Sequence, residues 1–215
     1  IYKVGAPSIV VQAIGSLMTY GMNLILAAFG SAQTVFGIYF KLQSFVFMPV
    51  FGLNNGMVPI IAYNYGAGHK DRVIKTIKHS VAYGVGIMFA GLLAMHIFPA
   101  QLMRMFDAEE SLIAIGAPAL ETISLSFVFA GFCIVAGSVF QALGNGVYSM
   151  IVSVARQMCV LLPVAKLLSL SGEVTLIWWA FPIAELASVL LTSYFLVRIY
   201  RKVICHIGEP VVQDA

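Results

Sequence analysis

Charged residues are scarce in this sequence. Lys, Arg, Asp and Glu together make up 10% of its 215 residues, whereas a typical soluble domain carries about 25%. Hydrophobic residues make up 60%. A water-soluble protein with so few charges could not cover its surface, so the composition excludes that class and predicts a protein that crosses the bilayer several times.

Cysteine is also rare, and its spacing excludes the common metal centres. Cys133, Cys159 and Cys205 lie far apart in apolar surroundings, without a C-x-x-C pair and without histidine at ligand spacing. We expect them to be small buried hydrophobic residues. The sequence also offers no nucleophile with a general base nearby. It therefore predicts no metal site, no resident cofactor and no enzymatic activity.

A secretory signal is missing as well. The chain does not start with a basic segment, a short apolar core and a cleavage site. It begins with Ile1 rather than Met, close to its first apolar run. We expect it to be a piece of a longer protein.

Six apolar runs are long enough to cross a bilayer, which takes about 20 helical residues. Inside hydrocarbon every backbone N–H and C=O must be bonded within the segment, so these runs predict helices and an all-α membrane protein. The runs are 8–30, 34–62, 80–99, 112–140, 148–170 and 175–200. They predict a six-helix bundle over residues 1–204 and a cytoplasmic tail over 205–215. The second and fourth runs exceed a bilayer, and Pro49, Pro59 and Pro118 are their expected interruptions.

The charges between the runs predict an orientation. Basic residues collect on one side of the membrane: Lys3, Lys70, Arg72, Lys75, Lys78, Arg198, Arg201 and Lys202. Acidic residues collect on the other: Asp107, Glu109, Glu110 and Glu173, with Arg104 among them. By the positive-inside rule the first side is cytoplasmic. We therefore expect a multi-pass protein of the inner cell membrane with both ends in the cytoplasm.

The glycine-rich stretch after the second run does not predict a nucleotide site. A P-loop needs a longer glycine pattern followed by Lys and Ser or Thr, after a strand, and this sequence has neither. The motif Asn64, Tyr65, Gly66, Ala67 and the following Gly68 instead predict a sharp turn and close helix packing. We expect a cytoplasmic loop whose charges are solvated among the lipid headgroups.

Polar residues recur at helical spacing in four of the runs, which indicates faces turned away from lipid. The stripes are Gln12, Ser16, Thr19 and Asn23; Lys41, Ser44, Met48, Gly52, Asn55 and Pro59; Ser149, Ser153, Arg156 and Gln157; and Glu185, Ser188 and Thr192, preceded by Trp178 and Phe181. Small polar residues also serve helix packing, but four such stripes favour a shared hydrated cavity. Met48, Trp178 and Phe181 are typical either of ordinary core or of a pocket for varied oily cations.

Two charges lie deep within the predicted spans. Glu185 is about ten residues into the last run, or ~15 Å, and Arg156 lies at a similar depth in the fifth. We predict that they pair, as architecture or as function, whereas Lys41 is expected to extend outward to the headgroups. The candidates for the wall of the cavity are Gln12, Asn23, Lys41, Met48, Asn54, Asn55, Arg156, Gln157, Trp178 and Glu185.

Several stretches resemble one transporter family. The stretch "FMPVFGLNNGMVPIIAYNYGAGHKDRV", residues 47–73, resembles the Pro-containing helix and Tyr-Asn-Tyr-Gly-Ala loop of multidrug and toxic compound extrusion (MATE) transporters. "GAPSIV" at 5–10 is similar to the start of that family's seventh helix. "FQALGNGVYSMIVSVARQMCVLLPV" and "WWAFPIAEL" are similar to its tenth-to-eleventh and twelfth helix segments. The resemblance covers nearly the whole chain, with the motifs in order.

The resemblance implies the C-terminal six-helix half, or C-lobe, of a twelve-helix transporter whose two halves are parallel repeats. It implies multidrug efflux by alternating access, with organic cations or drugs exchanged for Na⁺ or H⁺. Some members carry an acid in the seventh helix, near Gln12, Gly15 and Ser16 here, and an Asp in the tenth, near Phe129 here. This chain has neither, so the resemblance places a coupling-ion site in the missing half.

Two other functions remain open from the residues. A lipid-linked oligosaccharide flippase of the same superfamily would need a basic cavity for pyrophosphate, for which Arg156 and Lys41 are available. A non-transporting structural subunit would use its polar stripes for packing alone. The expected partners are the lipid bilayer, the N-terminal half and organic cation or drug substrates, and no nucleic acid.

Overall fold

A computed structural model describes residues 2–208, and these form helices joined by short turns. The helices are α1 (Tyr2–Leu26), α2 (Ala32–Gly66), α3 (Lys70–Ile97), α4 (Pro99–Arg104), α5 (Glu110–Ser124), α6 (Phe127–Ala142), α7 (Gly146–Val154), α8 (Leu162–Ser169), α9 (Val174–Ile177) and α10 (Ala180–Ile199). A 3₁₀ turn, Ala27–Phe29, follows α1. Two π-helical segments, Ala155–Leu161 and Tyr200–Ile204, join α7 to α8 and extend α10. Residues 209–215 of the predicted tail lie outside the described residues.

The helices supply the predicted number of membrane spans. Five helical units are long and apolar enough to cross a membrane: Ile9–Phe29, Ala32–Gly66, Lys70–Ile97, Gly146–Ser169 and Val174–Ile204. The pair α5 and α6 passes the same test but is bent by 48°. Counted as one span, this pair brings the described residues to six, so the all-α multi-pass architecture is confirmed.

The bend in the fourth span does not occur at Pro118, where the sequence predicted an interruption. α5 continues through Pro118 and ends at Ser124. Two serine hydroxyls bond to carbonyls one turn back: Ser124 Oγ to the Glu121 carbonyl at 2.9 Å and Ser126 Oγ to the Ile123 carbonyl at 2.6 Å. Such side-chain bonds compete with the helical backbone ladder and bend helices. α2 likewise runs uninterrupted through Pro49 and Pro59.

A π-helical turn interrupts the fifth span immediately before Pro163. Proline cannot donate to the carbonyl four residues earlier, and its ring crowds that carbonyl. The backbone widens here, and the Leu162 N–H donates to the Gln157 carbonyl, five residues back. π-Turns of this kind concentrate at functional sites. This segment carries Arg156 and Gln157.

The first two helices diverge inside the bundle. α1 packs chiefly against α7 and α8, whereas α2 packs against α3 and α6. Because the two members of this hairpin have different neighbours, a space remains between them. α10 closes the opposite side of this space, against α6 and the π-helical segment.

α3 and α6 cross closely because glycines face each other at the crossing. A Cβ added at Gly84 would stand 2.6 Å from Cγ2 of Val135, and one at Gly131 would stand 3.1 Å from the Gly84 carbonyl oxygen. Real Cβ atoms are rarely found at such distances. Small residues that allow backbones to approach are the usual basis of helix association in lipid.

The α2–α3 turn and the end of α10 meet at one end of the bundle, which we call the basic end. Lys70 Nζ donates to the Cys205 carbonyl at 2.8 Å. Gly68 and Gly208 both have positive φ, +73° and +87°, and a Cβ on Gly208 would stand 3.1 Å from the Gly68 carbonyl oxygen. The glycine-rich motif therefore forms a tight turn that docks the end of the last span.

Gly208→Ala is expected to lower the free energy of unfolding by about 1–2 kcal/mol, because a residue with a Cβ is strained in the left-handed region. The loss is larger if the new Cβ cannot move away from the Gly68 carbonyl oxygen. Gly172→Ala is the matched control, because Gly172 also has positive φ (+78°) but faces open space. Thermal unfolding in detergent measures both. Equal losses in the two variants would contradict a docking role for Gly208.

Candidate functional site

A cavity of about 880 Å³ occupies the space between the diverging helices. Its wall comes from α1, α2, α6, α7 with the following π-helical segment, and α10. The wall mixes aromatic rings with polar side chains from all five elements. Such a mixture, apolar with a few directed polar groups, is typical of a small-molecule site.

Arg156 and Glu185 form an ion pair on the wall of this cavity. Arg156 Nη1 donates to Glu185 Oε1, which confirms the predicted pairing of the fifth and sixth spans. Glu185 is 7% exposed, and the Arg156 side chain is 26% exposed. Of the described residues these two are the charged members of the wall, so the cavity carries no net formal charge.

The local structure explains how these two side chains meet. Arg156 lies in the π-helical segment ahead of Pro163, where the widened turn alters the direction of successive side chains. Glu185 lies three residues after Pro182, early in α10. Pro182 thus precedes Glu185 by three residues, and Pro163 follows Arg156 by seven. The two interruptions were not predicted, although Pro163 and Pro182 within apolar runs are their signal in the sequence.

Two buried polar atoms on the same wall have no hydrogen-bond partner among the described residues. They are Asn54 Oδ1 and Glu185 Oε2. Buried polar groups in folded proteins nearly always have partners. An orphaned group facing a cavity is therefore a candidate for contact with whatever enters that cavity.

Six of the ten predicted wall residues border the cavity. They are Gln12, Asn54, Asn55, Arg156, Gln157 and Glu185. Gln12 and Asn55 are solvent-exposed, whereas Asn54, Gln157 and Glu185 are buried. The first two therefore lie at the open edge of the cavity and the last three in its depth.

Asn23 and Lys41 lie away from the cavity. Asn23 Nδ2 donates to the Thr19 carbonyl at 2.9 Å, and its own backbone oxygen accepts a bond from Gln33 Nε2 at 2.8 Å. It therefore stabilises the α1–α2 turn. Lys41 is exposed, with its Nζ 5.6 Å from the centre of the Phe106 ring, in agreement with the predicted outward direction.

The predicted stripe on α2 faces mainly outward, which corrects the assignment of Met48. Met48 is 66% exposed, and Lys41, Ser44 and Gly52 lie on the same outward side. The wall uses the neighbouring face of α2 instead, which contains Phe40, Gln43, Phe47, Phe51, Asn54 and Val58. Three of these residues are phenylalanines, so polar side chains alone do not indicate this face of α2.

Trp178 belongs to the core rather than to the cavity wall. It is fully buried, and its ring stacks against Phe36 with 6.5 Å between ring centres. Phe36 also packs against Phe181, which does border the cavity. Trp178 thus packs behind Phe36, separated from the cavity by other aromatic rings.

The polar stripes in the sequence did not indicate the wall residues of α6. Ser126, Cys133, Gly137 and Gln141 lie on the cavity side of this helix, and Gln141 Nε2 donates to Ser149 Oγ on α7 at 3.0 Å. Their spacing of seven, four and four residues is helical. The signal was present as a stripe of small residues, including a cysteine that was assigned to the core.

The loop motif lies apart from the cavity at the basic end. Asn64 is buried and donates from Nδ2 to the Ile60 carbonyl at 2.8 Å. Tyr65, Gly66 and Ala67 are exposed, and Ala67 caps α2 by donating to the Tyr63 carbonyl. Within residues 2–208, no group of three or more His, Cys, Asp or Glu side chains is arranged to hold a metal ion.

Comparisons with known proteins agree on one family. A family model described as MatE matches residues 7–167. The multidrug export protein MepA of Staphylococcus haemolyticus is 26% identical over 204 residues, covering 94% of this chain and 44% of that protein. MepA of Staphylococcus aureus strain N315 is 27% identical over 187 residues, covering 86% and 41%.

Solved structures show the same fold. The MATE multidrug transporter DinF-BH superimposes with a TM-score of 0.82 at 33% identity, over 93% of this chain and 45% of that one. The Vibrio cholerae MATE transporter VcmN in its bent form gives 0.88 at 17% identity, over 96% and 47%. The chain therefore spans about half the length of the relatives it matches. Because the family model covers most of its residues and agrees with the resemblance seen in the sequence, the chain belongs to the MatE family.

Proposed function

We propose that this chain is the C-terminal half of a secondary active multidrug exporter, which binds organic cations or drugs in the central cavity and exchanges them for Na⁺ or H⁺. The names of the relatives support export of drugs. The buried Glu185 carboxylate on the cavity wall is the observation that carries the proposal, because ionisable residues inside a membrane are rare and, even when paired, commonly mark substrate or ion pathways.

The second half of the transporter is the proposed partner of this chain. The cavity is open at an edge formed by Gln12 on α1 and Asn55 on α2, both exposed. A second six-helix unit facing these helices would complete the chamber, and rocking of the two units would open it to one side at a time. Binding of the coupling ion then favours one state and binding of the drug the other. We place the coupling-ion site in that second half.

The orientation follows from the charges at the two ends. Lys70, Arg72 and Lys75 lie at the basic end, whereas Arg104, at the other end, is neutralised by an ion pair with Glu110 at 2.9 Å. We propose that the basic end faces the cytoplasm and that the protein resides in the inner membrane.

The charge balance of the cavity argues against the flippase alternative. A site for pyrophosphate would need an excess of positive charge, but Arg156 is paired with Glu185 and Lys41 lies outside the wall. The orphaned polar atoms argue against a purely structural subunit, since packing alone would satisfy them.

Glu185→Gln in the complete transporter is expected to reduce drug efflux at least tenfold at normal expression, because the cavity loses its anionic group. Ethidium-like dye accumulation in cells, with and without Na⁺ or a proton uncoupler, measures efflux and identifies the coupling ion. Glu173→Gln is the matched control, because Glu173 is exposed between α8 and α9. Unchanged resistance and transport in Glu185→Gln would refute a transport role for this carboxylate.

A further inference from the structure

We propose that the cavity prefers cations that carry an N–H donor over quaternary ammonium ions of the same size. The preferred class is protonated primary, secondary and tertiary amines. This inference rests on the proposed export function and narrows its substrate class. It follows from which polar atoms of the cavity lack partners and from what those atoms can accept.

The unpartnered atoms on the cavity wall are oxygens. Glu185 bonds to Arg156 through Oε1, and its Oε2 has no partner within the described part of the chain. Asn54 Oδ1, on α2, likewise has no hydrogen-bond partner among the described residues. The two residues are 7% and 6% exposed. A carboxylate oxygen in an ion pair and an amide oxygen can only accept hydrogen bonds, so each needs a donor from elsewhere.

The hydroxyls further along α10 are not available in the same way. Ser188 and Thr192 follow Glu185 by three and seven residues, or about 4.5 and 10 Å along the helix axis. Both are within hydrogen-bonding reach of the Cys133 thiol on α6, and both are almost fully buried, at 3% and 0% exposed. Glu185 and Asn54 are therefore the acceptors that remain for a substrate.

An N–H donor on a substrate in this cavity supplies the hydrogen bond that such an oxygen lacks, whereas a quaternary nitrogen, enclosed by carbon, cannot. A buried acceptor left without a donor costs free energy. A site that hydrogen-bonds its ligand therefore rejects an analogue lacking the donor more strongly than size or charge alone would predict.

Aromatic rings are the alternative basis for cation recognition, and they would favour quaternary ions. The rings of this wall are already packed against others. Tyr39 and Phe181 contact each other with 5.8 Å between ring centres, and Phe47 packs against Phe127 at 5.4 Å. These rings form an aromatic core, whereas Phe51, another ring of the wall, is 51% exposed. Within the buried part of the wall the unpartnered oxygens are the groups that remain for the cation.

A matched pair of ligands tests the preference. One is a fluorescent aromatic compound with a dimethylaminoalkyl arm, protonated at pH 7, and the other is its N-methylated trimethylammonium derivative. We expect the complete, purified transporter to bind the tertiary amine about tenfold more tightly, the effect of one unpaired buried acceptor. Equilibrium binding by fluorescence anisotropy gives the ratio, and efflux from proteoliposomes checks it in transport.

A substitution in the cavity wall tests which oxygen causes the preference for the tertiary amine. Asn54→Leu is expected to reduce the ratio to about threefold or less, because it removes an unpartnered oxygen. Ser44→Ala, on the outward face of α2, should keep the wild-type ratio. The wild-type ratio tests the inference by itself if a variant does not fold.

The outcomes separate the two proposals. Equal binding of the two ligands, or tighter binding of the quaternary ion, overturns the preference for N–H donors while export remains supported. Failure of the transporter to bind or export either ligand, or any other organic cation, overturns the proposed function itself. A ratio unchanged in Asn54→Leu would refute the assignment to the unpartnered oxygens.

Discussion

Arg156→Leu is expected to destabilise the complete transporter by about 3 kcal/mol, at the lower end of the range for breaking a buried ion pair. The variant leaves the Glu185 carboxylate, 7% exposed, without its cation. The lower end applies because the Arg156 side chain is itself 26% exposed. Unfolding of the detergent-solubilised protein, followed by circular dichroism, measures the loss.

The chain offers a matched control for this prediction. Arg104 pairs with Glu110 at 2.9 Å, but the two side chains are 61% and 80% exposed. Exposed pairs contribute about 0–1 kcal/mol, so Arg104→Leu should have little effect. The double variant Arg156→Leu, Glu185→Leu should recover much of the stability because no isolated charge remains. If Arg156→Leu were as harmless as Arg104→Leu, the ion pair would not stabilise this bundle.

Gly84→Leu is expected to prevent assembly of the bundle or to lower its free energy of unfolding by about 3 kcal/mol or more. Overpacking of a core usually costs about 1–3 kcal/mol, and this substitution should reach or exceed the upper end of that range. Even a Cβ at this position stands 2.6 Å from Val135, with the Gly131 carbonyl 3.7 Å away on the same side. The larger side chain would separate α3 from α6, which forms part of the cavity wall. Expression level and monodispersity in detergent report the defect.

Gly86, two residues further along the same helix, is the control. It is exposed and has open space around it, so Gly86→Leu places an apolar side chain toward lipid and should be tolerated. Comparable behaviour of the two leucine variants would contradict the close α3–α6 crossing. Helix propensity cannot explain a difference, because both substitutions replace glycine with leucine in one helix.

The helices and their number were predictable from composition because lipid imposes one rule. A segment of about 20 apolar residues must satisfy its own backbone hydrogen bonds, and the α-helix does so. The pairing of Arg156 with Glu185 was predictable for a related reason. Two opposite charges at similar depth in consecutive spans have few other possible pairing partners inside the membrane.

The directions of individual helix faces were less predictable. On α2 the polar residues Ser44 and Lys41 face outward, and the cavity side is rich in phenylalanine. A polar stripe indicates a face that is unsuited to lipid, but it does not show whether that face borders the cavity of this bundle, and most of the α2 stripe is exposed instead. On α6 the same ambiguity concealed Cys133, which is buried and still borders the cavity.

By itself the sequence determined that this protein is a multi-pass helical bundle and that two opposite charges lie at matching depth within it. Those features depend on composition and on position along a helix, which are local properties. The tertiary structure decided where the helices bend, which side of α2 closes the cavity and which oxygens remain without partners. These features depend on which helices pack against each other. A hydrogen bond between helices or a cavity among them involves several elements, so the sequence of one helix alone does not specify it.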